Sequence, residues 1–178
     1  MKKFLYEDQR VAAFFDVENL YWSAKKIFKG RVNFKKLLED VLGKRKLIRA
    51  IAYVIETESG EEKPFFEALE NMGIEIKKKP LLIYGKEKKA NWDVGIAVDA
   101  IKIAPFVDTI LLFSGDGDFV PLVNYLKEQG KRVEVIGFGK STSSKLKESA
   151  HSFFDIEKSP KKYILKPKDK IKIKIHSS

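Results

Sequence analysis

Two apolar runs in this chain stop abruptly at carboxylates. Val11-Ala12-Ala13-Phe14-Phe15 runs into Asp16, with Glu18 and Asn19 close behind. Thr109 to Phe113 runs into Ser114-Gly115-Asp116-Gly117-Asp118. If the two runs are neighbouring parallel strands, Asp16, Asp116 and Asp118 converge in one crevice. Carboxylates that close repel one another and raise each other's pKa unless a cation sits between them. Oxygen donors without histidine or cysteine select hard cations, here Mg2+ or Mn2+. Gly115 and Gly117 permit a tight turn and a close approach of the backbone to a ligand. Asp93 is a fourth candidate, at the start of a predicted helix just after the basic stretch with Lys86, Lys88 and Lys89. Asp99 lies six residues further on, about 120° around that helix from Asp93, and so cannot share its face. It is read as a residue supporting the site or as the ion-pair partner of a lysine. Taken singly, Asp16 and Asp93 also suit helix caps and Asp-Gly-Asp suits a plain turn. Their joint placement at two strand ends and a helix start favours a metal site.

Composition removes competing chemistries. There is no cysteine, so disulfides, thiolate metal sites and cysteine nucleophiles are excluded. His151 and His176 are the only histidines, too few for a multi-histidine zinc site. No apolar run approaches the ~20 residues that span a bilayer. The N-terminus meets Glu7 and Asp8 before an apolar signal core can form. A cytoplasmic protein without a membrane partner is expected. The net charge is +10, and residues 158–178 hold eight lysines against one acid, Asp169. Such tails often touch nucleic acid, although a merely solubilising end has the same composition.

The positioning elements follow from periodicity. Apolar, β-rich segments at 11–15, 47–55, 74–83, 109–113 and 132–138 alternate with helix-period segments. The third strand is expected near the sheet edge, because Lys77-Lys78-Lys79-Pro80 lies inside it. Helices are expected at 20–28, 34–42, 61–72, 92–104, 119–128 and 143–154, with a basic loop over 85–89. This pattern predicts an α/β fold with a mostly parallel five-stranded sheet in the order 3-2-1-4-5. The topological switch point then falls between the first and fourth strands, where ligands bind beyond the carboxyl ends. The domain is expected over residues 1–157. Residues 158–178 form a lysine-rich tail whose alternation at 170–175 could add an edge strand. Trp22 and Trp92 are read as core or groove residues.

The segments Phe14-Phe15-Asp16-Val17-Glu18-Asn19-Leu20, Asn91-Trp92-Asp93-Val94-Gly95-Ile96-Ala97-Val98-Asp99-Ala100 and Leu112-Phe113-Ser114-Gly115-Asp116-Gly117-Asp118-Phe119 resemble the NYN domain, in particular its LabA-like branch. The resemblance covers roughly residues 10–157 and keeps the family's motif order. It implies a three-layer, Rossmann-like PIN-like fold and a metal-dependent ribonuclease-type site. By motif position Asp16, Asp93, Asp116 and Asp118 match the family's acidic residues, as catalytic groups and metal ligands. Asn19 matches the asparagine of the first motif and would orient water or phosphate. Asp99 matches the trailing acid of the helix. The family's acid in the last helix is replaced by His151, so that helix is assigned no catalytic role.

The leading expectation is Mg2+- or Mn2+-dependent hydrolysis of an RNA phosphodiester, with Lys86, Lys88 and Lys89 holding phosphates. RNA is favoured over DNA, and a homo-oligomer is left open. One alternative is a non-catalytic RNA- or protein-binding module with a vestigial metal site. The other is a haloacid-dehalogenase-like phosphatase, against which Glu18 stands where that family has its second aspartate.

Overall fold

Successive side chains of a strand point to opposite faces, and the strand Arg10–Asp16 (β1) is buried on both. Val11, Ala13 and Phe15 enter one core, while Ala12 and Phe14 enter another. A strand apolar on both faces needs a covering layer on each side, which makes three layers. The computed structural model describes residues 7–167 and shows that arrangement.

After β1 come α1 (Val17–Phe28), β2 (Arg31–Val32), α2 (Phe34–Leu42), β3 (Lys46–Glu56), α3 (Lys63–Asn71) and β4 (Glu75–Pro80). A hairpin of β5 (Leu82–Tyr84) and β6 (Glu87–Lys89) leads into α4 (Asp93–Ile103). The chain continues through β7 (Thr109–Phe113), α5 (Val120–Glu128), β8 (Arg132–Gly137), α6 (Ser144–Ser149) and β9 (Ser152–Asp155). It closes with α7 (Pro160–Tyr163) and β10 (Ile164–Leu165). The central sheet has the order β4-β3-β1-β7-β8-β9, and every pair in it is parallel. Helices α1, α2, α3 and α7 bury residues in the core on one face. Helices α4, α5 and α6 do so on the other.

The expected order 3-2-1-4-5 is present as β4-β3-β1-β7-β8, with a sixth strand beyond it. That strand corrects the helix expected over 143–154. Helix α6 stops at Ser149, and His151 starts a ladder with Val133, donating its N–H to the Val133 carbonyl and accepting the Val133 N–H at Nδ1. The Phe153-Phe154 pair suits a strand, where successive rings go to opposite faces. The basic loop expected at 85–89 is likewise a hairpin, and the third strand expected over 74–83 divides at Leu81. Pro80, which has no N–H to donate, closes the β3–β4 pairing.

Part of the expected tail is ordered against the domain. Residues 160–165 pack onto the domain, with β10 antiparallel to β2. Tyr163 is buried, donates its hydroxyl to Asp40 at 2.9 Å and accepts the Asn33 N–H at its carbonyl. The possible edge strand at 170–175 lies outside the described residues. Tyr163→Ala is expected to lower unfolding stability by about 3 kcal/mol, through lost burial and a cavity. Tyr163→Phe should cost about 1 kcal/mol, the net worth of one hydrogen bond. Urea unfolding checks both; no change in either variant would show that this segment is a solvated tail.

Candidate metal centre

Register brings the acids together. In the β1–β7 pair Phe15 stands opposite Phe113, and their rings stack at 4.0 Å. The next residues, Asp16 and Ser114, are therefore neighbours at the carboxyl edge of the sheet. Ser114 is fully buried, and its hydroxyl donates to Asp16 Oδ2 at 2.7 Å. The same Oγ accepts the Asp116 N–H at 3.2 Å. Asn19, one turn into α1, accepts the Gly115 N–H at Oδ1 at 2.8 Å. Asp16 caps α1 by accepting the Asn19 N–H at 3.4 Å. The two acid-bearing strand ends are thus tied by three side chains, those of Asp16, Asn19 and Ser114.

Beyond this knot the chain turns through Gly117–Phe119, where Asp116 Oδ1 accepts the Asp118 N–H at 2.9 Å. The third arm is α4. Trp92 donates its indole N–H to the Val54 carbonyl at 2.9 Å and packs edge-on against Tyr53, fixing the entry to the helix. Asp93, the first residue of α4, then faces the turn. Carboxylate oxygens of Asp93, Asp116 and Asp118 lie within 4.8 Å of one another. Asp16 lies deeper, below them. A groove of about 420 Å³ opens beside Asp93 and Asp118 between α4 and α5, past Val94, Ile101 and Tyr125, so the cluster is reachable from solvent.

The electrostatics match the crowding. Burial pushes Asp16 up to about 6, against the hydrogen bonds from Ser114 and Asn19, and Asp93 and Asp116 add repulsion. Burial, then the negative charges of Asp116 and Asp118, push Asp93 up, while Lys79 pulls the other way. Oxygen-only donors crowded by like charge fit a hard divalent cation.

The remaining expected residues are placed as follows. Asp99 is outside the cluster, accepting the Tyr53 hydroxyl and Lys77 Nζ, each at 2.7 Å. Burial pushes Asp99 up, but those two hydrogen bonds outweigh it and hold the carboxyl below its usual range. Lys86 is exposed on the turn of the β5–β6 hairpin, and Lys88 and Lys89 lie on β6. Asn19 directs its amide oxygen to backbone, so its direct role is to hold the loop. The glycines sit in the expected tight turn and also admit the 141–143 segment: a Cβ on Gly117 would come within 2.8 Å of Ser143 Oγ, and one on Gly115 within 2.9 Å of Thr142 Oγ1. His151 stands at the amino end of β9, and the acids stand at the carboxyl ends of β1 and β7. Ser114 is the residue that sequence reasoning missed; its signal is that it follows β7 as Asp16 follows Phe15.

Residues 10–157 match the NYN domain model. The chain belongs to the NYN domain family. That places it in the PIN-like nuclease superfamily, whose nucleases are typically dependent on a divalent metal, and gives the acidic cluster a nuclease-type setting. The chain is similar to the low amplitude and bright protein LabA of Synechococcus elongatus, 23% identical over 163 residues, covering 85% of this chain and 86% of that protein. A shorter match to an uncharacterized protein of Methanocaldococcus jannaschii is 47% identical over 47 residues, 25% of this chain and 20% of that one. The crystal structure of a protein of unknown function from Vibrio parahaemolyticus superposes with a TM-score of 0.82 at 30% identity, covering 92% of this chain and 100% of that one. Among the described residues no helix is long and apolar enough to cross a membrane.

The raised pKa of Asp16 has a stability consequence. Its folded value, about 6, lies above its ordinary 3.8, so the native state binds the extra proton between those values. Stability therefore falls as pH rises through that window. Without metal, Asp16→Asn should unfold later than the wild type at pH 7.5, by about 1–3 kcal/mol, and the gap should close toward pH 4. Urea unfolding across pH measures this; a gap independent of pH would show that Asp16 is not strained by burial.

Proposed function

We propose that this NYN domain is a Mg2+- or Mn2+-dependent ribonuclease-type phosphodiesterase. The observation that carries the reading is the convergence of Asp93, Asp116 and Asp118 at the carboxyl edge of the sheet, next to the β1–β7 switch point. Asp93, Asp116 and Asp118 would hold the cation, with Asp16 completing the anionic wall behind them. A bound divalent cation supplies charge neutralisation for a phosphodiester and activates water for its hydrolysis. The protein's own residues do the positioning. Ser114 holds Asp16 and the Asp116 backbone at fixed separation, Asn19 pins Gly115, and the Trp92–Val54 hydrogen bond fixes the first turn of α4. A site preorganised in this way needs little rearrangement at the moment of reaction.

Phosphate contacts position a strand without reading its sequence. The β5–β6 hairpin, which carries Lys86, Lys88 and Lys89, ends four residues before Asp93 and is the candidate for that contact. Lys79 adds positive charge at the same side, donating to the Asn91 carbonyl at 3.0 Å and lying 4.4 Å from the Trp92 ring centre. RNA is preferred to DNA as substrate on the family resemblance. NYN membership favours a nuclease over the phosphatase alternative.

Incubation of single-stranded RNA with Mn2+ or Mg2+ tests the reading. Asp93→Asn and Asp116→Asn are each expected to lower cleavage by ~10²-fold or more, as is chelation of the metal. RNA affinity in these variants should stay within about threefold of wild type, because lysines rather than the acids hold phosphate. Wild-type cleavage rates in either variant, or hydrolysis of p-nitrophenyl phosphate without RNA cleavage, would contradict it.

A further inference from the structure

Trp22 is expected from sequence to lie in a core or groove, yet it is 57% exposed on α1. Large aromatic side chains gain most when buried, so an exposed, oriented indole asks for a partner. The ring is held in place. Its Nε1–H donates to Glu18 Oε2 at 3.1 Å, one turn back along the helix. Tyr21, 40% exposed, meets it edge-on at 5.3 Å between ring centres. Lys25 Nζ lies 5.2 Å from the Trp22 ring centre and 5.6 Å from that of Tyr21. Lys26 is exposed on the following turn.

This patch is an aromatic surface flanked by ammonium groups. That combination suits the base and phosphate of a single nucleic-acid strand, in which every base offers a π-face whatever its sequence. Helix α1 covers the sheet face opposite α4 and α5, so a strand on this patch reaches the acids over the carboxyl edge of the sheet. Helix α1 starts directly after Asp16, and Asn19 on its first turn pins the Gly115 loop. At about 1.5 Å per residue, Trp22 stands roughly 9 Å along the helix from Asp16. The bond to Glu18 lays the indole back over the first turn, toward the acidic end of the helix.

We infer that Trp22, with Tyr21 and Lys25, is a stacking platform for a base of single-stranded RNA whose backbone runs to the acidic cluster. The inference rests on the reading of that cluster as a nucleic-acid site. Trp22 positions the strand; it takes no part in the chemistry.

The test uses the full chain in EDTA, so that binding is read without cleavage, and a single-stranded RNA of about ten nucleotides. RNA should quench tryptophan emission in the wild type. Trp22→Ala should lose the quench and bind about five- to hundredfold more weakly, the range measured for loss of one base stack. Trp22→Phe should recover part of that affinity. An oligonucleotide of equal length and charge but without bases should bind wild type and Trp22→Ala alike. Equal RNA affinity of wild type and Trp22→Ala would overturn the platform. So would self-association that Trp22→Ala abolishes with RNA affinity unchanged, since that assigns the patch to a second copy of the chain. If metal-dependent cleavage is absent while the quench and affinity loss persist, the nuclease reading fails and the platform stands. If cleavage is present and Trp22→Ala binds RNA normally, the platform alone fails.

Discussion

The hydrogen bond from Ser114 to Asp16 joins the ends of two strands that are 98 residues apart in sequence. It forms because β1 and β7 pair in parallel with Phe15 opposite Phe113, so that the first polar residue after each apolar run meets its counterpart. A slip of one residue would send Asp16 to the other face and break the pair. The register is itself secured by burial, since all of β7 and every residue of β1 after Arg10 are buried. From this joint the Asp116 turn hangs on Ser114 Oγ, Gly115 hangs on Asn19, and α4 brings Asp93 across the switch point. The apolar core thus sets the geometry of the acidic cluster at its edge.

The same geometry carries an electrostatic cost. Asp16 is buried beside like charges, and its carboxyl rises to about 6. Asp93 is raised by burial and by its two acidic neighbours. Asp99, though on the same helix, is relieved by Lys77 and Tyr53 and falls instead. The contrast separates a carboxylate used for structure from carboxylates crowded by like charge. Three acids held this close fit the divalent cation that the proposed function calls for.

Much of this was legible in the residues. Uninterrupted apolar runs ending in Asp16 and Ser114-Gly115-Asp116 marked central parallel strands, and Lys77-Lys78-Lys79-Pro80 marked an edge. The order 3-2-1-4-5 followed from connection rules and is present within the larger sheet. The sixth strand was hidden because Ser152–Asp155 is four residues long and follows a short helix, so the two merge into one amphipathic pattern. The role of Ser114 depends on pairing register, and the packing of Gly117 against Ser143 joins segments distant in sequence; local pattern reports neither. The exposure of Trp22 was hidden for a related reason, since a tryptophan in an amphipathic helix gives no sign of which side of the apolar stripe it occupies.

If strand register assembles a cation site from Asp93, Asp116 and Asp118, a divalent ion binds among those three carboxylates. Crystals soaked in Mn2+, with diffraction recorded for its anomalous signal, test this without any assay of activity. An anomalous peak is expected among the three carboxylates in the wild type, and its loss in Asp116→Asn crystals of unchanged fold. A wild-type map with no peak there, or a peak that survives Asp116→Asn, would contradict it.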